Sequence, residues 1–136
     1  MTQNEKELLI KDLSGRLPYG VKINSKCGPA TLIEIRIIDK KYAIVVETFN
    51  DKLEIFSEYN IDDCKPYLRS MDSMTEEEVK EFYDVECMDA KVGYIKPTWN
   101  WHFTINGIDW LNVHNFDYRG LIEKGLALEA PAGMYV

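Results

Sequence analysis

With 136 residues, 46% of them hydrophobic, the chain has the length of a single domain, 1–136, and can bury roughly two-thirds of its unfolded surface without a metal or a disulfide. The 23 acidic side chains against 16 basic ones give a net charge of −7, so the average surface repels phosphate and nucleic acid is not an expected partner. Cys27, Cys64 and Cys87 are odd in number and lack CxxC spacing, which reads as reduced thiols in a cytoplasmic protein, and no apolar run approaches the ~20 residues of a membrane span.

The first predicted element is a helix from about Glu5 to Arg16, capped by Asn4, with Leu8, Leu9, Leu13 and Leu17 on one stripe. Pro18 and Gly20 end it. Val21 to Asn24 reads as a short strand, followed by a turn at Ser25 to Pro29. From Thr31 to Ile38, Ile33, Ile35 and Ile37 alternate with Glu34 and Arg36, the period of a strand with one buried face. After the Asp39-Lys40-Lys41 turn, Tyr42 to Thr48 carries Ile44, Val45 and Val46 in succession, which suggests a central strand buried on both faces. Asn50-Asp51 turns the chain into Leu53 to Ser57. Strands joined by short polar turns form an antiparallel meander. A helical turn at Ile61-Asp62-Asp63 and a further edge strand at Lys65 to Arg69 would complete an SH3-like partial barrel; the alternative is an open sheet covered by helices.

Ser73 to Cys87 is the clearest mid-chain helix, because Thr75 and Glu78 form a capping box and the Glu76-Glu77-Glu78 run suits the positive end of a helix dipole. Val79, Phe82, Tyr83 and Val85 would supply its apolar face. Strands are expected at Lys91 to Lys96 and Thr98 to Ile105. A helix from about Ile108 to His114 turns Ile108, Trp110 and Leu111 inward and stops at Asn115. A second, from Tyr118 to Lys124, is capped by Asp117, stapled by Phe116 against Leu121, and ended by Gly125 with Leu126 closing on Leu121.

Two segments carry a resemblance. Leu17-Pro-Tyr-Gly-Val-Lys22 near the start and Asp117-Tyr-Arg-Gly-Leu-Ile-Glu-Lys-Gly-Leu-Ala-Leu128 near the end, with the Pro66 to Glu78 region between them, resemble a protein family of human-gut Bacteroidales and of their phages and mobile elements. The resemblance implies no activity, cofactor or site residue. It implies a setting in which a small acidic protein acts on a protein of its host.

The chemistry-bearing residues are few. Trp99, Trp101, Phe103 and Ile105 alternate with Asn100, His102 and Thr104, so Trp99 and Trp101 with His102 beside them form either an aromatic platform for a base, sugar or peptide, or one more core face. His102 and His114 lack metal-ligand spacing, so no metal and no cofactor is expected. Lys26 beside Cys27 would favour a thiolate, but a nucleophile also needs an oriented base and an oxyanion hole. Arg119, next to Gly120 at a helix start, can meet a carboxylate or phosphate of a partner, or can pair internally with Asp109 or Asp117. No GxGxxG, P-loop or GxSxG pattern occurs.

The reading is an α+β domain: a small antiparallel sheet or SH3-like partial barrel with an N-terminal helix, a central helix and a C-terminal pair of short helices. The expected function is non-enzymatic protein binding in the cytoplasm, with Trp99, Trp101, His102 and Arg119 as candidate contact residues. The alternatives are small-molecule binding on the Trp99/Trp101 face, or an enzyme whose motif is not recognisable. A deep pocket with convergent polar groups would favour either alternative; a flat or self-complementary apolar patch would favour interaction.

Overall fold

The computed structural model describes residues 1–26, 28–39, 41–50, 53–86 and 103–135, so the strand expected at 91–96 and most of the one expected at 98–105 lie outside the described residues. The architecture is α+β. Helix α1 (Gln3–Arg16) precedes a meander of four antiparallel strands, β1 (Lys22–Ser25), β2 (Gly28–Ile38), β3 (Lys41–Asn50) and β4 (Leu53–Asn60), in spatial order β1-β2-β3-β4. A 3-10 turn at Ile61–Asp63 leads to β5 (Tyr67–Leu68). Helices α2 (Glu76–Glu86) and α3 (Ile105–Val113) follow, and the short strand β6 (Leu128–Glu129) pairs parallel with β5.

The meander begins to close on itself. After the 3-10 turn the chain returns to β1, where Ile23 bridges antiparallel to Pro66 and Asn24 N donates to Lys65 O at 2.9 Å. The contact is made by the two residues before β5, while β5 itself pairs with β6, so the sheet stays four-stranded and antiparallel. The seam is extended by a side chain: the Tyr135 hydroxyl accepts from Lys22 N at 2.8 Å and donates to Tyr67 O at 2.7 Å. Burial pushes this phenol up to about 12.

The main core lies between α1 and the concave face of the sheet. Leu9 and Leu13 of α1 pack with Ile23, Leu32, Ile44 and Val46, and the chain ends of the meander add Ile61, Cys64 and Leu68. A second cluster, Phe82 of α2 with Trp110 and Leu111 of α3, Met71 and Phe116, joins the two later helices. Trp110 and Phe116 stack with ring centroids 5.7 Å apart, and Trp110 Nε1 donates to Glu81 at 3.1 Å.

Several local expectations are corrected. Helix α1 starts two residues earlier than expected: Thr2, not Asn4, is the N-cap, with Glu5 completing a capping box that holds the Glu5 carboxyl below its ordinary range. The Ile33-Ile35-Ile37 face is not buried as a unit. A β-bulge between Leu32 and Glu34 breaks the alternation at Ile33, Leu32 takes the core position, and Ile37, one pair from the end of the β2–β3 hairpin, is 64% exposed. Lys65 to Arg69 supplies only Tyr67–Leu68, and its ladder partner is β6. Ile105 opens α3 rather than ending a strand: Thr104 caps Gly107 N at 3.0 Å, and the Glu86 carboxylate accepts from Thr104 N at 3.1 Å.

At the C-terminal end, Tyr118 to Lys124 is a turn and not a helix. Gly120 has φ +72°, which a right-handed helix cannot pass through, so only one turn forms after it. The stop is nevertheless the expected one: Leu126 N bonds to Leu121 O at 2.9 Å, Gly125 N to Ile122 O at 3.1 Å, and Gly125 has φ +73°. Asn115, at φ +58°, ends α3 with the same pair of bonds, from Phe116 N to Leu111 O and from Asn115 N to Asn112 O. The Phe116–Leu121 staple is absent, since Phe116 belongs to the aromatic cluster and Leu121 to the main core.

Candidate interaction surface

Of the residues singled out in the sequence, Trp99, Trp101 and His102 lie outside the described residues. Arg119 is described, and it turns inward. Its Nε lies 3.3 Å from Asp12 of α1, and its guanidinium sits over the Tyr118 ring at 5.1 Å. The expected partners Asp109 and Asp117 are not used; Asp117 instead accepts from Leu121 N at 2.8 Å and Ile122 N at 2.9 Å. Asp12 is shared. Arg16, one helical turn along α1 and fully buried, binds it through Nε at 2.8 Å and Nη2 at 3.1 Å, and Nη2 also donates to Phe116 O at 2.6 Å. Two arginines on one buried carboxylate tie α1 to the C-terminal turn, which is a structural task. His114 is also committed internally, stacked on Trp110 with its Nδ1 2.8 Å from Trp110 O.

A cleft of about 590 Å³ lies between β5, the start of α2 and the chain after β6, and is lined by Arg69, Ser70, Ser73, Glu78 and residues 129–133 with Tyr135. Its one cation is already satisfied. Arg69 holds Glu78 through two bonds of 2.8 and 2.7 Å, lies 4.1 Å above the Phe116 ring, and keeps the Glu78 carboxyl below its ordinary range. The Ser73 hydroxyl donates to Ser70 O, and Ser70 Oγ accepts from Asp72 N. Among the described residues of this cleft, the bonds of the Ser70 and Ser73 hydroxyls thus run to backbone groups and not to a base. Among the described residues, no three His, Cys, Asp or Glu side chains gather as metal ligands. Cys64 is buried, and burial pushes its thiol up to about 12, far from a reactive thiolate.

The outer face of the sheet is different. Strand alternation and register place Ile38 on β2, Ala43 and Val45 on β3, and Phe56 on β4 on the face away from α1, along a diagonal across three strands. Ile38 and Phe56 are each 58% exposed. Between Ile38, Ala43, Glu58 and Asn60 the surface dips into a hollow of about 500 Å³. Carboxylates rim the diagonal. Arg36 bridges Glu34 at 2.7 Å and Glu58 at 3.5 Å, which screens Val45 and holds the Glu34 carboxyl below its ordinary range. Further along, the neighbouring Glu54 carboxyl pushes the Glu47 carboxyl up, against the lowering effect of Lys22. Among the described residues, Lys22, which bonds Thr31 on the neighbouring strand, and Lys41, opposite Ile38, are the other cations at this face, so around Phe56 the carboxylates Glu47, Glu54 and Glu58 predominate.

Phe56 and Ile38 were not among the candidates drawn from the sequence. The signal was present in Glu54-Ile-Phe-Ser-Glu58: once Ile55 and Tyr59 take the inner face, Phe56 must face outward between two glutamates. No protein-family model matches the chain, and no curated protein or solved structure is significantly similar to it. Among the described residues, no helix is long and apolar enough to cross a membrane.

Proposed function

We propose that the protein is a non-enzymatic interaction module that binds another protein through the outer face of its sheet. The observation that carries the proposal is the pairing of Phe56 and Ile38, each more than half exposed, at the two ends of one apolar diagonal. Single exposed apolar residues are ordinary; here two large ones flank the part-buried Ala43 and the buried Val45 on one charge-rimmed face, and that combination is what supports a recognition surface. The Arg69 cleft supports the alternatives less well, because its polar groups bind one another. In our reading the module works in the cytoplasm, and the resemblance to proteins of gut Bacteroidales phages and mobile elements puts its partner among the proteins of a bacterial host.

The test is affinity capture from a Bacteroidales lysate with the wild-type chain and with an Ile38→Asp/Phe56→Asp variant, after circular dichroism has shown both to be folded. A partner retained by the wild type and lost by the variant supports the surface. Retention of the same partners by both chains, or of none by the wild type, refutes it.

A further inference from the structure

The partner's chemistry can be read from β4. We propose that β4 accepts an extended segment of the partner as an added antiparallel strand, one that carries an apolar residue opposite Phe56 flanked at alternate positions by Lys or Arg. This rests on the interaction reading above and names what that surface recognises.

Three observations converge on β4. It is the last strand of the order β1-β2-β3-β4, and among the described residues no strand pairs with its far edge. Among the described residues, then, the eight-residue strand Leu53–Asn60 turns the backbone donors and acceptors of alternate residues to an open edge, a length sufficient for a peptide to pair with. Its outward positions read Glu54, Phe56, Glu58, an apolar anchor between two carboxylates spaced at the strand period. Carboxylates also predominate around Phe56: Glu47 lies directly opposite it on β3, and Arg36 is divided between Glu34 and Glu58.

The same pattern rules against a second copy as the occupant. Antiparallel pairing of two β4 strands centred on Phe56 would set Glu54 of each copy opposite Glu58 of the other, and like charges directly across a ladder repel. A basic strand meets carboxylates at both positions and adds a cation beside Glu47 and Glu54. An acidic or neutral strand gains neither.

The experiment uses the full chain and a fluorescein-labelled peptide, Thr-Lys-Thr-Val-Thr-Lys-Thr, followed by fluorescence anisotropy. We expect saturable binding below about 1 mM, weakened about tenfold by Glu54→Lys/Glu58→Lys as two cross-strand charge pairs are lost, with the Glu-for-Lys peptide preferring that variant. N-methylation of the peptide at alternate amides leaves the protein untouched, so it separates backbone pairing from simple charge attraction. It should abolish binding when the methylated amides face β4. No binding at about 1 mM, equal binding of the methylated peptides, or indifference to the charge reversal would each overturn strand addition. If the captured partner still depends on Ile38 and Phe56 while these peptide results are negative, the surface stands and only the added strand falls.

Discussion

Asp12→Ala should be among the most damaging single substitutions in the molecule. Asp12 and Arg16 are both fully buried, and Asp12 is the sole carboxylate for Arg16 and Arg119 within ion-pair distance among the described residues. Its removal leaves Arg16 with the Phe116 carbonyl and the Tyr118 ring at 5.2 Å, but no counter-charge; one nitrogen, Nη1, has no hydrogen-bond partner even with Asp12 in place. Breaking a buried pair by deleting one partner costs about 3–5 kcal/mol, because the orphaned charge stays out of water. Arg119 contributes less to that cost, since its side chain is 28% exposed and can recover hydration. Replacing both members, Asp12→Leu with Arg16→Met, removes the charge problem. It leaves the Phe116 carbonyl with Tyr118 N at 3.2 Å as its donor and Arg119 without its carboxylate, a residual cost of about 1–3 kcal/mol. The double variant should therefore be more stable than Asp12→Ala, despite carrying more changes. Urea denaturation of the three chains, analysed by linear extrapolation, measures the difference. A cost below about 1 kcal/mol for Asp12→Ala, or a double variant less stable than the single one, would refute the argument that the orphaned charge dominates.

The C-terminal stop gives a second prediction: Leu121→Ala, at a fully buried site, should cost about 2–5 kcal/mol, and Gly125→Val should destabilise because a β-branched residue resists φ +73°, whereas exposed Lys124→Ala should change stability by about 0.5 kcal/mol or less. In a Cys27→Ser/Cys87→Ser background, Cys64 should resist a thiol reagent at pH 8 until denaturant is added, since burial holds its thiol near 12; rapid labelling of the native chain would contradict its placement. The Arg69–Glu78 pair predicts a pH dependence. Because the folded carboxyl titrates below its ordinary value of 4.5, its stabilisation is fully present above that value and is lost as pH falls through the folded one; the stability difference between wild type and Glu78→Gln should thus be present at pH 7 and shrink in acid.

Much of the fold was legible because its signals are local. The Thr75/Glu78 capping box, the Asn115 and Gly125 stops and the Ile61–Asp63 turn each depend on a few neighbouring residues, and each stands as read. Burial was less legible where it depends on how far an element extends past its neighbour. Ile35 and Ile37 do share a face, yet the bulge after Leu32 takes Ile33 out of that register, and Ile37, next to the hairpin end, is exposed; neither is written in the period of the strand. The Tyr118–Lys124 helix failed at Gly120, a residue that composition permits in a helix but whose positive φ here forbids it. Arg119 was legible as an internally paired residue, but its partner comes from a helix more than a hundred residues earlier, a distance that no spacing rule spans. The interaction surface was hidden for a related reason: Phe56 and Ile38 share a face only through the register of three strands.

Site-specific photo-crosslinking tests the central claim most directly. Phe56, Ile38 and, as a reference in the Arg69 cleft, Ser73 are replaced in turn by p-benzoylphenylalanine, and each chain is irradiated in its host cells. The account predicts a discrete crosslinked partner from positions 56 and 38 and none from 73. Crosslinking from 73, or from a probe placed at Trp99, with positions 56 and 38 silent, would contradict it and move the binding surface away from the sheet.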